Sequence, residues 1–249
     1  MSSDFSAEEY TRYSRNAMLP EVGWEGQARW RAAKVAVVGA GGIGSAALYY
    51  LAAAGVGEIS IIDGDVVELS NLQRQILHNL HDLGRRKVES AWETLTALNP
   101  NCRLNLHDTR LDAANIRDIL KENDLVLDAS DNFETRLVVA DCCWREKILL
   151  VSAAVGGFQG LLLVQDPAPG HPCYRCLLPQ PPSETKPEGI LGAVAGVMGC
   201  LQALEALKLL LGRKSDLTHQ MLAYDGLQCR FRHHKREKRP DCPLCGKGK

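Results

Sequence analysis

Apolar and polar positions follow two rhythms along the chain. Short runs rich in Val, Ile and Leu recur at Lys34–Val38, Glu58–Ile62, Arg103–His107, Leu125–Asp128 and residues 148–154. Runs of this length and composition read as buried strands. Between them lie longer segments with helical spacing: Gly42–Ala54, residues 85–98, residues 113–122 and Phe133–Glu146. Asn99-Pro100 stops the second of these, because the residue before a proline is pushed out of the helical region. Strand and helix alternate, which predicts a Rossmann-like α/β fold: a parallel sheet with helices on both faces. Ahead of it, Ser6 and Glu9 form a capping box for a short helix through Arg15, and residues 24–33 read as another helix.

Past Gly156 the texture changes. Residues 158–164 read as a strand of a different sheet region, and residues 177–189, with four prolines, as a loop. Residues 192–211 form a long helix. Residues 221–224 and 229–233 pair around Asp225-Gly226 as an antiparallel extension. One domain over residues 1–249 is expected, in three parts: N-terminal helices (1–33), an α/β core (34–155), and a remainder (156–249).

The 249 residues are 45% apolar, enough for a substantial core, and the net charge of −1 does not suggest nucleic-acid binding. Arg230, Arg232, His233, His234, Lys235, Arg236, Lys238 and Arg239 make a basic stretch, read as a solvated surface or as a contact for an acidic partner. The apolar stretch 190–211 carries Gln202, Glu205 and Lys208, so it reads as a buried helix rather than a membrane span. No secretory signal is visible in residues 1–9. With no export signal, nine cysteines argue for metal binding over a disulfide framework, and a cytoplasmic location is expected.

Gly39, Gly41 and Gly44, with Gly42 between them, fit a phosphate-binding turn directly after a strand. Glycine lets backbone N–H groups approach phosphate at a helix N-terminus. Asp63 ends the next strand, where an acid accepts hydrogen bonds from a ribose; Asp65 follows it. These features suit NAD, FAD and ATP alike. Ser70, Asn71, Leu72, Gln73, Arg74 and Gln75 come next, then Lys87. Lys87 alone could be a solvated helix residue, but Arg74 lies in an otherwise uncharged run. Two cations near a glycine turn suit a triphosphate better than a dinucleotide, because phosphate transfer needs fixed positive charge.

Asp128, Asp131 and Asn132 follow the strand Leu125–Asp128. Asp131 is read as a Mg2+ ligand, with helix capping as the alternative; Ser130 and Asn132 are read as caps. Cys173 and Cys176 form one CxxC pair, Cys242 and Cys245 another. Two such hooks close a tetrahedral zinc site, reduced or redox-active thiols being the alternative. Cys102, Cys142, Cys143, Cys200 and Cys229 are expected to fill the core.

From about Tyr10 to Cys245 the chain resembles the ThiF/MoeB/HesA family, ubiquitin-activating-like adenylyltransferases for sulfur-carrier proteins. Arg12-Tyr13-Ser14-Arg15, the glycine turn, residues 70–75, Asp131-Asn132, Cys173-Tyr174-Arg175-Cys176 and residues 199–211 carry the resemblance. It implies ATP-dependent adenylation of the C-terminal Gly-Gly carboxylate of a small β-grasp protein. It implies Arg15 on the ATP phosphates of the other subunit of a homodimer, Asp63 on the ribose, Arg74 and Lys87 on the phosphates, Asp131 on magnesium and four cysteines on one structural zinc. The expected setting is molybdopterin, thiamine or related cofactor synthesis.

The chain departs from many relatives in having no cysteine between Cys176 and Cys200. Ser183 and Thr185 are the hydroxyls there, and Cys200 is expected to be buried. The enzyme is therefore expected to stop at the acyl-adenylate and to rely on a separate sulfur donor. Three other readings stand beside this one: adenylation of a small molecule or tRNA base, a nicotinamide-dependent oxidoreductase, and a non-catalytic carrier-binding protein.

Overall fold

The structure is a computed structural model that describes residues 5–180 and 189–246. Ser183 and Thr185 lie outside the described residues. Two helices come first, α1 (Ala7–Ala17) and α2 (Gly23–Ala32). The Ser6–Glu9 capping box opens α1 as expected, each side chain bonding the other's backbone N–H. The α/β series comes next: β1 (Lys34–Val38), α3 (Gly42–Ala54), β2 (Glu58–Ile62), α4 (Lys87–Leu98), β3 (Arg103–His107), α5 (Ile116–Leu120), β4 (Leu125–Asp128), α6 (Phe133–Glu146) and β5 (Leu149–Gly156). Then come β6 (Gln159–Gln165), α7 (Tyr174–Leu177), α8 (Gly192–Leu210), β7 (Gln220–Asp225) and β8 (Arg230–Lys235).

All eight strands lie in one sheet, ordered β3-β2-β1-β4-β5-β6-β7-β8. The first five are parallel and the last three antiparallel. The strand expected in a different sheet region is therefore β6, hydrogen-bonded along β5 from Leu150–Gln165 to Gly156–Gln159. A two-residue turn at Gly157-Phe158 is too short for a crossover, so the strand must fold back antiparallel. The order reverses between β1 and β4. Their carboxyl ends leave a crevice there, the usual place for a ligand in a sheet of this kind.

Side chains alternate across the sheet between two cores. Val35, Val37, Ile59, Ile61, Leu125 and Leu127 pack beneath α3, α4 and α8. Ala36, Val38, Ile62 and Val126 pack against α5 and α6 on the other face. Helices α3 and α8 cross at a small-residue contact, where a Cβ on Gly199 would collide with the Ile43 carbonyl. Gln202, fully buried on α8, donates to the Asp128 and Val151 carbonyls at 2.8 and 2.9 Å and fixes that helix to β4 and β5. By length and composition α8 could cross a membrane; here it forms a layer of the core.

Several expectations are corrected. The helix at 113–122 shrinks to Ile116–Leu120, because the Asp112 carboxylate captures the N–H groups of Ala114 and Asn115. Cys102, Cys142 and Cys143 are buried, but Cys200 and Cys229 are exposed. Cys200 faces outward on α8, and Cys229 has a φ of 49° in the β7–β8 turn. Residues 230–235 are exposed, whereas Arg236 is 5% exposed. Its guanidinium donates to the carbonyls of Val164, Leu217, Pro172 and Cys173 at 2.9–3.4 Å. Burial lowers its pKa to about 10, so it remains a cation at neutral pH.

Candidate functional site

The glycine turn leaves β1 at Gly39 (φ 96°) and enters α3 through Gly41 and Gly42. A Cβ on Gly39 would lie 2.8 Å from the Ala129 carbonyl, so the turn and the β4 end touch backbone to backbone. Gly44 serves packing: a Cβ there would strike the Gly39 carbonyl. Asp63, at the end of β2, accepts hydrogen bonds from the N–H groups of Ala40 (2.8 Å) and Asp65 (2.9 Å). Burial pushes its pKa up, while the nearby Lys87 charge and the two N–H groups pull it down; the net shift is upward.

Lys87, buried in the first turn of α4, lies 3.0 Å from Asp65 and 3.9 Å from Asp63. Arg110, from the loop after β3, reaches the other Asp65 oxygen at 3.0 Å. Burial alone would raise Asp65, but its hydrogen bonds to Lys87 and Arg110 hold it below the ordinary carboxylate range.

The polar run folds as a tight turn at Leu69–Asn71 followed by short helical bonds that carry the chain to His78. Arg74 faces the pocket while donating to the Ser70 carbonyl at 3.1 Å. Asn71 caps the turn by accepting from the Glu68 N–H. His78, which drew no functional reading from the sequence, is buried with Nε2 2.9 Å from the Ala40 carbonyl and Nδ1 2.8 Å from Ser90 Oγ. A carbonyl only accepts, so in the neutral ring Nε2 holds the proton and Nδ1 accepts from the hydroxyl.

After β4, Asn132 caps α6 by accepting from the Thr135 N–H at 2.8 Å. Ser130 is not a cap. Its hydroxyl donates to the buried Asp128 carboxylate at 2.6 Å, and Ser152 donates to the other oxygen at 3.0 Å. Asp128 is therefore satisfied inside the protein, while Asp131 is exposed and lines the pocket.

The result is a cavity of ≈ 820 Å³. Of the residues named from sequence, Gly39, Gly41, Gly42, Asp63, Asp65, Arg74, Gln75, Lys87, Ser130, Asp131 and Asn132 line it. Gly44 and Asn71, both buried, and Ser70, which is exposed, do not line it. Arg15 is exposed on α1, away from the pocket of its own chain. Thr109, Arg110 and Leu111 also line it, as do the apolar Val155, Ile190 and Ala195. Only the first three follow a strand end, β3, which could have pointed to them.

Away from the pocket, the Sγ atoms of Cys173, Cys176, Cys242 and Cys245 lie within 4.8 Å of one another. Three neighbouring pairs stand at 3.9, 3.5 and 3.4 Å. A tetrahedral ion with bonds of about 2.3 Å needs sulfurs roughly 3.8 Å apart. The four thiols therefore fit a zinc ion.

His78 generates a pH prediction. Burial lowers its pKa below the ordinary value of about 6.5. Between that value and the lowered one, the unfolded chain binds more protons than the folded chain, so stability falls as pH falls through this window. In His78→Gln the amide can make both hydrogen bonds without titrating, and this part of the slope should vanish. Thermal unfolding from about pH 7.5 to about pH 5 measures it; an unchanged slope would refute the assignment.

The family signature described as the ThiF family matches residues 13–244. The chain is 44% identical over its whole length to the SAMP-activating enzyme E1 of Haloferax volcanii, of which the match covers 93%. It is 43% identical over 97% of its length to the sulfur carrier protein adenylyltransferase of Thermus thermophilus, again covering 93%. Against the adenylyltransferase and sulfurtransferase MOCS3 of Culex quinquefasciatus the identity is 45%, and the chain spans about half of that protein, 55%. The fold matches the E. coli MccB structure with AMPCPP and MccA at a TM-score of 0.84 and 25% identity, over 94% of this chain and 74% of that one. A signature and relatives that span nearly the entire sequence leave one conclusion: the chain belongs to the ThiF family.

Proposed function

We propose that this protein adenylates the C-terminal Gly-Gly carboxylate of a small ubiquitin-like sulfur-carrier protein. The products are an acyl-adenylate and pyrophosphate, and the step feeds molybdopterin, thiamine or related cofactor synthesis. One observation carries the reading: Asp63, Arg74, Lys87 and Asp131 converge on a glycine turn in one pocket. The names of the relatives support it.

A carboxylate is already ionised at neutral pH, so its oxygen can attack the α-phosphorus without a general base. One P–O bond forms, the bond to the β,γ-pyrophosphate breaks, and no proton moves. Catalysis then rests on alignment and on fixed charge where negative charge develops. Asp63 accepts from the ribose hydroxyls, and the N–H groups of the glycine turn receive phosphate oxygens. Arg74 and Lys87 stabilise the leaving pyrophosphate. Asp131, exposed at the pocket, would hold Mg2+, which would supply positive charge to neutralise the phosphates. Arg15 acts from the second subunit of a homodimer, since it lies outside the pocket of its own chain. Apart from the four clustered thiols, the exposed ones, Cys200 and Cys229, lie on a helix and in a hairpin turn. Sulfur delivery is assigned to a separate donor. A cytoplasmic location is part of this reading.

ATP–pyrophosphate exchange should require a carrier ending in free Gly-Gly and should fail with a carrier lacking the last glycine. Arg74→Ala and Asp131→Ala should each lower it about a hundredfold or more while leaving the fold intact. Equal exchange with the truncated carrier would sink this function.

The shared site has its own test. Mixing inactive Arg15→Ala with inactive Asp131→Ala builds heterodimers with one intact site, and activity should return. No recovery despite demonstrated subunit exchange would exclude sharing between subunits.

Metal analysis should find one zinc per chain. Cys173→Ser should bind less of it and unfold at a lower temperature, because four thiolates form a closed structural site. A zinc-free protein purified without chelators would refute it.

A further inference from the structure

Gln75 is 5% exposed and lines the pocket beside Arg74. Its Oε1 is enclosed and has no hydrogen-bond partner. Its Nε2 has no partner among the described residues either, and it lies 3.7 Å from where a Cβ on Gly41 would sit. Buried amides are almost always paired on both sides, and leaving one unpaired is costly. The backbone around it is in order: Gln75 N–H donates to Asn71, and the Gln75 carbonyl accepts from His78. The unused capacity belongs to the side chain alone, at the wall of the pocket.

Oε1 would need a donor and Nε2 an acceptor, and it is the position of Nε2, beside Gly41 at the pocket wall, that names a partner. The Ala40 N–H ties the glycine turn to Asp63 at 2.8 Å, so the turn is the part of the wall next to the ribose site. The phosphate joined to the ribose is the α-phosphate. A phosphate oxygen accepts hydrogen bonds and donates none, which matches an amide nitrogen presented at Gly41. We infer that Gln75 is a further substrate-contacting residue, whose Nε2 donates to a non-bridging oxygen of the α-phosphate. This inference rests on the adenylation reading, in which that oxygen gains charge as the carboxylate adds. Arg74 and Lys87 then act on the leaving phosphates, and Gln75 with the glycine turn acts on the phosphorus under attack.

Calorimetric titration with AMPCPP, AMP and adenosine separates the possibilities, because AMP carries the α-phosphate and adenosine carries none. In Gln75→Met, of similar shape, AMPCPP and AMP should both bind about ten- to a hundredfold more weakly, while adenosine binding stays unchanged. Gln75→Glu replaces the donor by an acceptor and should weaken both further, again sparing adenosine. The melting temperature of Gln75→Met should stay level or rise, since the unpaired oxygen is gone. AMP affinity equal to wild type, or equal weakening of AMP and adenosine, would overturn the role of Gln75. If Gln75→Met does not fold, Gln75→Glu decides by the same comparison. A wild-type protein that binds none of the three would instead overturn the adenylation reading.

Discussion

Asp63 brings a carboxylate into the protein at the end of β2, where an ionised group would be costly without compensation. Two backbone N–H groups and the Lys87 ammonium within 3.9 Å supply it. One N–H comes from the glycine turn, the other from the loop that carries Asp65, and Lys87 from the first turn of α4. Three chain segments are thereby held to one anionic point. His78 completes the arrangement by bonding the carbonyl of the same Ala40 whose N–H meets Asp63. Both sides of that residue are fixed, so the N–H groups of the turn are oriented before any ligand arrives. Preorganised dipoles of this kind need no reorganisation during a reaction.

The pocket is zoned by the sheet that frames it. Its charged part lies over β1, β2 and β4, where parallel strands point their carboxyl ends into the crevice. Its apolar border, with Val155, comes from β5, the last parallel strand, and β6 turns back directly after it. Val155 thus brings an apolar side chain to the cavity from the strand at which parallel pairing gives way to antiparallel.

Much of this was legible in the sequence. Six elements, including β1, α3, β2 and β4, have the boundaries their residues predict, because Val-rich runs bounded by glycine or acid admit few alternatives. The glycine turn, Asp63 and Asp131 could be named because they follow strand ends, and Arg74 and Lys87 because two cations, one in an uncharged run, lie close behind that turn. The residues that were missed depend on tertiary partners. Gln75 is named from sequence only as part of the run 70–75 and His78 not at all, because nothing local shows that they pack against Gly41 and Ala40. Arg236 looks like one more cation in a basic stretch until the Val164, Leu217 and Cys173 carbonyls surround it. Cys200 lies in an apolar helix, yet helical geometry turns it outward while Gly199 and Gln202 face in. Burial on a helix follows the face, and composition alone does not reveal the face.

The distant cysteine pairs and Arg236 address one problem. Strands β7 and β8 extend the sheet past β6, on which α8 packs, and β8 is an exposed edge with little apolar surface to hold the chain after Lys235. Bringing residues 173–176 and 242–245 together closes a long loop, and a clip across a long loop removes more freedom from the unfolded chain than one across a short loop. Arg236 reinforces the same junction from inside, donating to carbonyls of β6, of the turn before β7, and of Cys173 itself. One side chain thus joins the sheet to the cysteine cluster. The cluster in turn adjoins α7, which packs on α6, the helix that begins beside Asp131. The order of the C-terminal part is in this way connected, through packed elements, to the wall of the pocket.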